Sequence, residues 1–567
     1  MSFDLIVRGG TTPEGRICDI GIRGDRIAAV EDRLDAEAGE VIEAAGDLVS
    51  PPFVDPHFHM DATLSYGIPR LNASGTLLEG IGLWGELKAV MTQEEVRDRA
   101  LDYCDWAVSQ GLLAIRSHVD TCDRRLLGVE ALLEVRETVA PYLDLQLVAF
   151  PQDGLLRDPT ALASTRRALD MGVDVVGGIP HFERTMAAGA ESVRVACEMA
   201  AERGLPVDLH CDETDDPTSR HIETLAAETV RLGLQGRVAG SHLTSMHSMD
   251  DYYVSKLLPL IAEAGIAAIP NPLINIVIQG RHDTFPKRRG LTRVREMLAE
   301  GIEVGWGQDC VRDPWYPLGT ADMLDVAFMG LHVAQMTHPA EMARCFEMVT
   351  GANARIMGLR DYGLEPGCMA SLVVLDAGDP VEALRLRPAR LAVVSKGRVV
   401  SRAPRGAATV TLGRGASGAR PTATADCCSK SCLATSRHLV RAGSAGRRST
   451  CARQKQISDR GEASRTRSSK KAVGRGKKKA NKAPTRCTEH ESQQPHRVTT
   501  SHSTAEDSQR TVQQGWQTAR QSPPQRHQVG QKQPRPTPWL SVSRRDHAPS
   551  TGRGWTRLTR RRLYDHS

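Results

Sequence analysis

The chain has 567 residues, which is long enough for more than one domain, and its two parts carry opposite net charge. Residues 414–567 contain 33 Lys and Arg against 9 Asp and Glu, whereas residues 1–413 contain 40 against 59. No apolar stretch approaches the roughly 20 residues that span a bilayer, so we expect no association with a membrane.

The N-terminus and the cysteines indicate a cytoplasmic protein. Residues 1–5 read MSFDL, without the basic region and apolar segment of a secretory signal. Eight of the 13 cysteines lie before residue 414, and none of these eight forms a CxxC pair. This usage is typical of reduced thiols in the cytoplasm.

Residues 1–50 contain short strand-like runs at 4–8, 18–22 and 26–30, with glycines between them. Strand character returns after residue 366, at 370–375 and 391–400. We expect the two flanks, 1–50 and 366–413, to join in one small β-sandwich around the segment between them.

Between these flanks, eight short apolar runs alternate with helical patterns such as 191–203 and 292–300. The runs are 48–54, 113–119, 145–150, 173–179, 207–210, 238–242, 266–269 and 302–306. Eight strand–helix alternations predict an α/β fold with a closed (β/α)8 TIM barrel over 51–365. The active sites of such barrels lie at the carboxyl ends of the strands.

Residues 414–567 lack phenylalanine and show no sustained hydrophobic period. Such a composition buries too little apolar surface to offset the entropy of ordering, so we expect a disordered basic tail. Its basic triplets at 477–479 and 560–562 could bind nucleic acid or act as targeting signals. The composition also resembles a shifted reading frame of GC-rich DNA, and these interpretations stay open.

Polar residues follow the ends of several predicted strands. His57 and His59 are two residues apart, so on a strand they share one face. His210, His242 and Asp309 follow later apolar runs. Histidines buried for structural reasons would be scattered without regard to strand ends. Nitrogen and carboxylate donors without paired thiolates suit Zn²⁺ or Fe²⁺, so we predict one divalent metal ion at this face.

Residues 1–413 resemble the bacterial cytosine deaminases of the amidohydrolase superfamily. The resemblance is carried by eight motifs: PPFVDPHFHMDAT (51–63), SGTLLEGI (74–81), VAFPQDG (148–154), GGIPHFE (177–183), HCDETDD (210–216), SHLTSMHS (241–248), NPLINIVIQGRHDTFPKRRG (271–290) and DPWYPLGTADML (313–324). The HxH motif is common to the superfamily, whereas HCDE, FPQ and DPWYPLG are specific to this branch.

The resemblance implies a set of site residues. Metal ligands would be His57, His59, His210 and Asp309, with Glu213 as proton shuttle and His242 placing the attacking water. The substrate pocket would be formed by Gln152, Phe150, Leu77, Cys310 and Trp315. Members of this branch hold one metal ion, often iron and replaceable by zinc, and form homo-oligomers.

One position departs from the family pattern. Two aspartates usually follow the eighth strand, whereas here Asp309 is followed by Cys310. The second carboxylate lies near C5 of the pyrimidine in the family. The resemblance implies conversion of cytosine to uracil and ammonia. Because Cys310 replaces the carboxylate near C5, we expect the preference to extend to 5-substituted cytosines such as 5-methylcytosine.

The residue types fit hydrolytic deamination. A bound divalent metal lowers the pKa of water from 15.7 to about 7. Glu213, three residues after His210, could protonate a ring nitrogen and then the departing amine. The Gln152 amide offers a donor and an acceptor, which match the N–C=O edge of a pyrimidine. His118 and His181 also end strands, and we assign both to structural or supporting roles.

Other functions are less well supported by the residues. Isocytosine, isoguanine or creatinine could replace cytosine as substrate. Cyclic-amide hydrolases of the same superfamily mostly use two metals and a carboxylated lysine, and no lysine ends a predicted strand. The acidic part would repel phosphate, and the PCxxC motif of deaminases that act on flipped bases is absent. We therefore predict a free nucleobase as substrate and no nucleic-acid partner.

Overall fold

The computed structural model describes residues 2–406. The predicted basic tail, 414–567, lies outside the described residues. Fifteen strands lie within the described part: β1 (Phe3–Thr11), β2 (Ile17–Arg23), β3 (Arg26–Glu31), β4 (Ala38–Glu43), β5 (Leu48–Ser50), β6 (Phe53–Phe58), β7 (Leu112–Asp120), β8 (Asp144–Phe150), β9 (Val175–Gly178), β10 (Val207–Cys211), β11 (Val238–His242), β12 (Ala267–Ile269), β13 (Leu372–Leu375), β14 (Arg390–Ser395) and β15 (Arg398–Arg402).

Helices connect and cover the strands of the barrel. Residues 2–406 contain α1 (Leu77–Lys88), α2 (Gln93–Ser109), α3 (Leu127–Val139), α4 (Ala161–Asp170), α5 (Met186–Arg203), α6 (His221–Leu232), α7 (Asp251–Glu263), α8 (Pro272–Ile278), α9 (Val294–Ala299), α10 (Met323–Val333), α11 (Pro339–Glu347), α12 (Gly351–Met357) and α13 (Pro380–Leu386). Helical patterns predicted at 191–203 and 292–300 fall on α5 and α9. No helix in the described part is both long and apolar enough to cross a bilayer.

Strands β6 to β12 form a parallel sheet in chain order. All nine residues of β7 and all six of β6 are buried, as in parallel strands that are covered on both faces. Each neighbouring pair is joined by a helical connection, which brings the carboxyl ends of all seven strands to one face. The predicted α/β barrel is therefore confirmed, as a nearly closed parallel barrel of seven strands with helices.

The eighth predicted strand, 302–306, forms isolated pairs instead of a ladder. Val304 pairs with Ala268, and Asp309 pairs with Phe58, both in parallel. The Asn353 side chain donates to the carbonyls of Val54 (2.7 Å) and Trp306 (2.9 Å), so it links the first barrel strand to the last run. Side-chain bonds thus replace part of the backbone pairing where the barrel closes.

The flanking segments form a second sheet of eight strands, in the order β15-β14-β13-β5-β1-β2-β3, with β4 paired to β1. Strand β5, from the N-terminal flank, pairs antiparallel with β13, from the C-terminal flank. This sheet has its own apolar core, which includes Leu5, Ile20, Val374 and Val394. The exact domain boundaries, 1–50, 51–365 and 366–413, stay a prediction.

Candidate active site

The HxH pair lies at the carboxyl end of β6. His57 is inside the strand and His59 follows it by one residue, and both side chains are buried. Asp309 is held opposite the pair by the backbone: its N–H donates to the His57 carbonyl (2.8 Å), and the His59 N–H donates to the Asp309 carbonyl (3.0 Å). The backbone therefore places two imidazoles and one carboxylate at the same point.

The predicted metal ligands converge. His59 Nε2 lies 3.3 Å from Asp309 Oδ1 and 3.1 Å from His210 Nε2, and His57 Nε2 lies 3.7 Å from Asp309 Oδ1. His57 Nε2 is buried without a hydrogen-bond partner within the described residues. Atoms with lone pairs thus face one another at distances where a shared cation would stabilise them. This donor set fits one divalent metal ion.

The protonation states agree with ligation. Burial lowers the pKa of His59 to about 3 and lowers the pKa of His57 and His210 well below the ordinary value. These imidazoles are therefore neutral near pH 7 and keep a lone pair for a metal. Burial also raises the pKa of Asp309, because no cation compensates its charge in the protein alone. A bound divalent ion reverses that tendency.

Glu213 and His242 lie beside this point. His242 Nδ1 is 3.3 Å from Glu213 Oε1, and His242 Nε2 is 3.8 Å from Asp309 Oδ2. Burial, with a contribution from Asp309, raises the pKa of Glu213 well above its ordinary value. A carboxyl group with a raised pKa beside a metal site is a candidate for acid–base chemistry.

Two amides that the sequence analysis did not assign orient His242. The side-chain nitrogens of Asn275 and Asn271 lie 3.0 and 3.3 Å from His242 Nδ1. If these amides donate to Nδ1, the ring proton is on Nε2, which faces Asp309. The signal in the sequence that could have identified the two asparagines is their spacing of four residues within the motif 271–290, which places them on one helix face.

A pocket opens onto these groups. It is lined by His59, Leu77, Gln152, His210, Glu213, Ile274, Ile278, Asp309, Cys310 and Trp315. The structure thus brings Leu77, Gln152, Cys310 and Trp315 to the same pocket as the predicted shuttle. Ile274 and Ile278 were missed by the sequence analysis, although their spacing of four places them on one face of α8.

Phe150 and His242 are not among the side chains that line the pocket. The Phe150 ring stacks on the His210 imidazole, with ring centroids 4.2 Å apart and an interplanar angle of 18°. Phe150 therefore packs against the predicted metal ligand His210, since both side chains point into the barrel, Phe150 from β8 and His210 from β10. His118 and His181 are also close to His210: the His118 ring lies 4.7 Å away, and His181 Nδ1 is 3.0 Å from the His210 carbonyl.

An ion cluster anchors the loop that carries Gln152. Lys88 Nζ, at the end of α1, lies 2.6 Å from Asp120 and 2.7 Å from Asp153. Trp84 Nε1 also donates to Asp120, at 2.8 Å. Because Asp153 directly follows Gln152, this cluster holds the amide at the edge of the pocket.

The chain is similar to known proteins in both sequence and structure. Residues 40–401 match the amidohydrolase family. The structure of 5-methylcytosine deaminase from Klebsiella pneumoniae liganded with phosphonocytosine is similar, with 40% identity, a TM-score of 0.69, and coverage of 71% of this chain and 99% of that one.

Two further relatives act on other compounds, as their names state. N-isopropylammelide isopropyl amidohydrolase of Pseudomonas sp. (strain ADP) is 30% identical over 410 residues, which cover 70% of this chain and 97% of that protein. Pterin deaminase of Rhizobium rhizogenes (strain K84 / ATCC BAA-868) is 29% identical over 360 residues, which cover 63% of this chain and 81% of that protein.

Proposed function

This chain belongs to the amidohydrolase family and is a hydrolase of C–N bonds, and we propose that its substrate is a free aminopyrimidine, cytosine or a 5-substituted cytosine. The observation that carries the proposal is the pocket in which Glu213 and the Gln152 amide face the predicted metal ligands. The 40% identity to a 5-methylcytosine deaminase over most of residues 1–406 supports the same class of substrate.

The reaction replaces an exocyclic C–NH₂ by C=O, so that cytosine and water give uracil and ammonia. A divalent cation held by His57, His59, His210 and Asp309, Fe²⁺ or Zn²⁺, would lower the pKa of bound water towards about 7. Asp309 Oδ2 and His242 Nε2, which lie 3.8 Å apart, would orient the attacking water, and the Asp309 carboxylate would take up its proton.

Glu213 would move two protons. In its neutral form it protonates the ring nitrogen next to the reacting carbon, which makes that carbon electrophilic. The carboxylate that remains would take up, by way of Asp309, the proton lost by the attacking water and deliver it to the amino group, so that the C–N bond breaks with ammonia as the leaving group. The second proton of that water, released when C=O forms, would restore the acid form of Glu213. A carboxyl group with a raised pKa suits this task, because its neutral form persists to higher pH than that of an exposed glutamate.

Substrate selection would depend on Gln152 and Cys310. The Gln152 amide pairs with the N–C=O edge of the base. Cys310 is buried at the pocket wall, with its Sγ 3.5 Å from Asp309 Oδ1. An uncharged thiol leaves an apolar space that a 5-methyl group can fill, where the related branch has a carboxylate.

Ammonia release from a panel of free bases tests the proposal. The panel contains cytosine, 5-methylcytosine, isocytosine, isoguanine and creatinine, and we expect turnover of cytosine and 5-methylcytosine. Turnover of another base in the panel, without turnover of cytosine or 5-methylcytosine, would contradict the proposed substrate. It would leave the assignment as a hydrolase of C–N bonds intact. Glu213→Gln, with its bound metal measured, is the control for ammonia from contaminating enzymes.

A second candidate comes from the relatives that are 30% identical. N-isopropylammelide is an N-substituted triazine, so an amino-triazine is a reasonable alternative substrate for the same groups. Adding N-isopropylammelide to the panel, with isopropylamine as the measured product in place of ammonia, separates the two candidates, because only the pyrimidine proposal requires cytosine to be the better substrate.

A further inference from the structure

We infer that Ser241 and Asp208 form a buried relay that holds His57 in one tautomer and so prepares its Nε2 atom to bind the metal. The inference rests on the proposed metal site and adds two positioning residues that touch neither metal nor substrate. Their effect should therefore be on metal affinity.

The relay crosses three strands beneath the predicted ligands. His57 Nδ1, on β6, lies 2.8 Å from Ser241 Oγ, on β11. Ser241 Oγ in turn donates to Asp208 Oδ1, on β10, at 2.7 Å. Ser241 pairs directly with His210 in the β10–β11 ladder, and none of the three relay side chains is exposed to solvent.

Counting protons gives the tautomer. A serine hydroxyl has one proton, and here it is directed to Asp208. Ser241 Oγ must therefore accept from His57, so the ring proton is on Nδ1. The opposite tautomer would direct the hydroxyl proton to His57 and deprive Asp208 Oδ1 of this donor. With Nδ1 protonated, His57 Nε2 keeps its lone pair, and this is the atom that lies unpartnered at the predicted metal site.

Arg116 keeps Asp208 an acceptor. Arg116 Nη1 lies 3.1 Å from Asp208 Oδ2, and both side chains are buried. The guanidinium is always charged, and a buried charge without a counterion is costly, so the carboxylate form of Asp208 is favoured.

His210 offers an internal contrast. Its second nitrogen, Nδ1, is buried without a hydrogen-bond partner within residues 2–406. Stacking on Phe150 orients its ring but does not select a tautomer. Of these two ligands, His57 is therefore the one whose proton position the protein determines by hydrogen bonds.

The test measures Zn²⁺ affinity of the apo protein by competition with a chromogenic chelator. Ser241→Ala should bind Zn²⁺ about 10- to 100-fold more weakly, the usual effect of losing the partner of a metal-binding histidine. Ser245→Ala is the matched control, because Ser245 is equally buried and its hydroxyl has no partner within the described residues. We expect this control to bind Zn²⁺ like the wild type.

A second variant, Ser241→Cys, distinguishes the loss of the hydrogen-bond relay from the loss of side-chain packing. The thiol fills the same site with a somewhat larger atom and accepts hydrogen bonds weakly, so the Zn²⁺ affinity of this variant should lie between those of Ser241→Ala and the wild type. Wild-type affinity in Ser241→Ala, or in Ser241→Cys if the alanine variant does not fold in its apo form, would overturn the inference. If no base in the panel is deaminated but Ser241→Ala still loses Zn²⁺ affinity, the relay stands and only the substrate proposal fails.

Discussion

Cys310 offers the sharpest prediction about specificity. The residue is buried in the pocket wall beside Asp309, and burial raises the pKa of its thiol, so it is uncharged near pH 7. Burying one methyl group against such a surface contributes about 0.8 kcal/mol, or roughly four-fold in kcat/KM. We therefore expect 5-methylcytosine to be used at least as well as cytosine, and up to about four-fold better.

Cys310→Asp should reverse this preference. The variant loses the roughly 0.8 kcal/mol of methyl burial, and a 5-methyl group would also desolvate the new carboxyl group, at a cost of at least about 1 kcal/mol. Together these effects shift the ratio of kcat/KM towards cytosine by roughly 20-fold. Cys310→Ala, which keeps the space and adds no polar group, should retain the preference of the wild type.

The assay compares kcat/KM for cytosine and 5-methylcytosine by ammonia release in all three proteins. The ratio is independent of the fraction of protein that holds metal, so a loss of metal beside Asp309 does not imitate a change of specificity. A wild type that strongly prefers cytosine, or a Cys310→Asp variant with an unchanged ratio, would refute the pocket argument and leave the hydrolase assignment intact.

Further predictions concern the shuttle, the metal, the tail and the Gln152 loop. Glu213→Gln should keep its metal and lose at least about 100-fold in kcat; near-normal turnover would remove Glu213 from the shuttle role. Asp309→Ala should lose metal in elemental analysis, and full metal content would exclude it as a ligand. A chain that ends at Leu412 should fold and react like the full chain, because 414–567 is poor in apolar residues; reduced solubility or activity would contradict this. Lys88→Met should destabilise the protein by about 3–5 kcal/mol in thermal or urea unfolding, since the buried Asp120 carboxylate loses its countercharge and keeps only neutral donors such as Trp84 Nε1. The variant should also raise KM more than it lowers kcat, and an unchanged KM would mean that the cluster does not position Gln152.

The parts of the site that are local in the chain could be predicted from the sequence. His57 and His59 share a face because a strand repeats every two residues, and parallel strands bring their carboxyl ends to one face. The barrel was predictable for the same reason, since its strands and helices alternate at regular spacing. The pocket residues Gln152 and Cys310 came from motifs, because nothing in their local sequence determines which cavity they line.

Only the tertiary structure decided the contacts between elements that are distant in the chain. The last barrel run pairs with its neighbours only through isolated bridges within residues 2–406, and Asn353, about 50 residues later, bonds the carbonyls of Val54 and Trp306. Phe150 packs behind His210, and Ser241 and Asp208 determine the proton position of His57, through contacts that span 33 to 184 residues. Hydrogen-bond direction and ring stacking depend on differences of a few tenths of an ångström in the distances between side chains on separate strands. The residue pattern along one strand does not specify those distances.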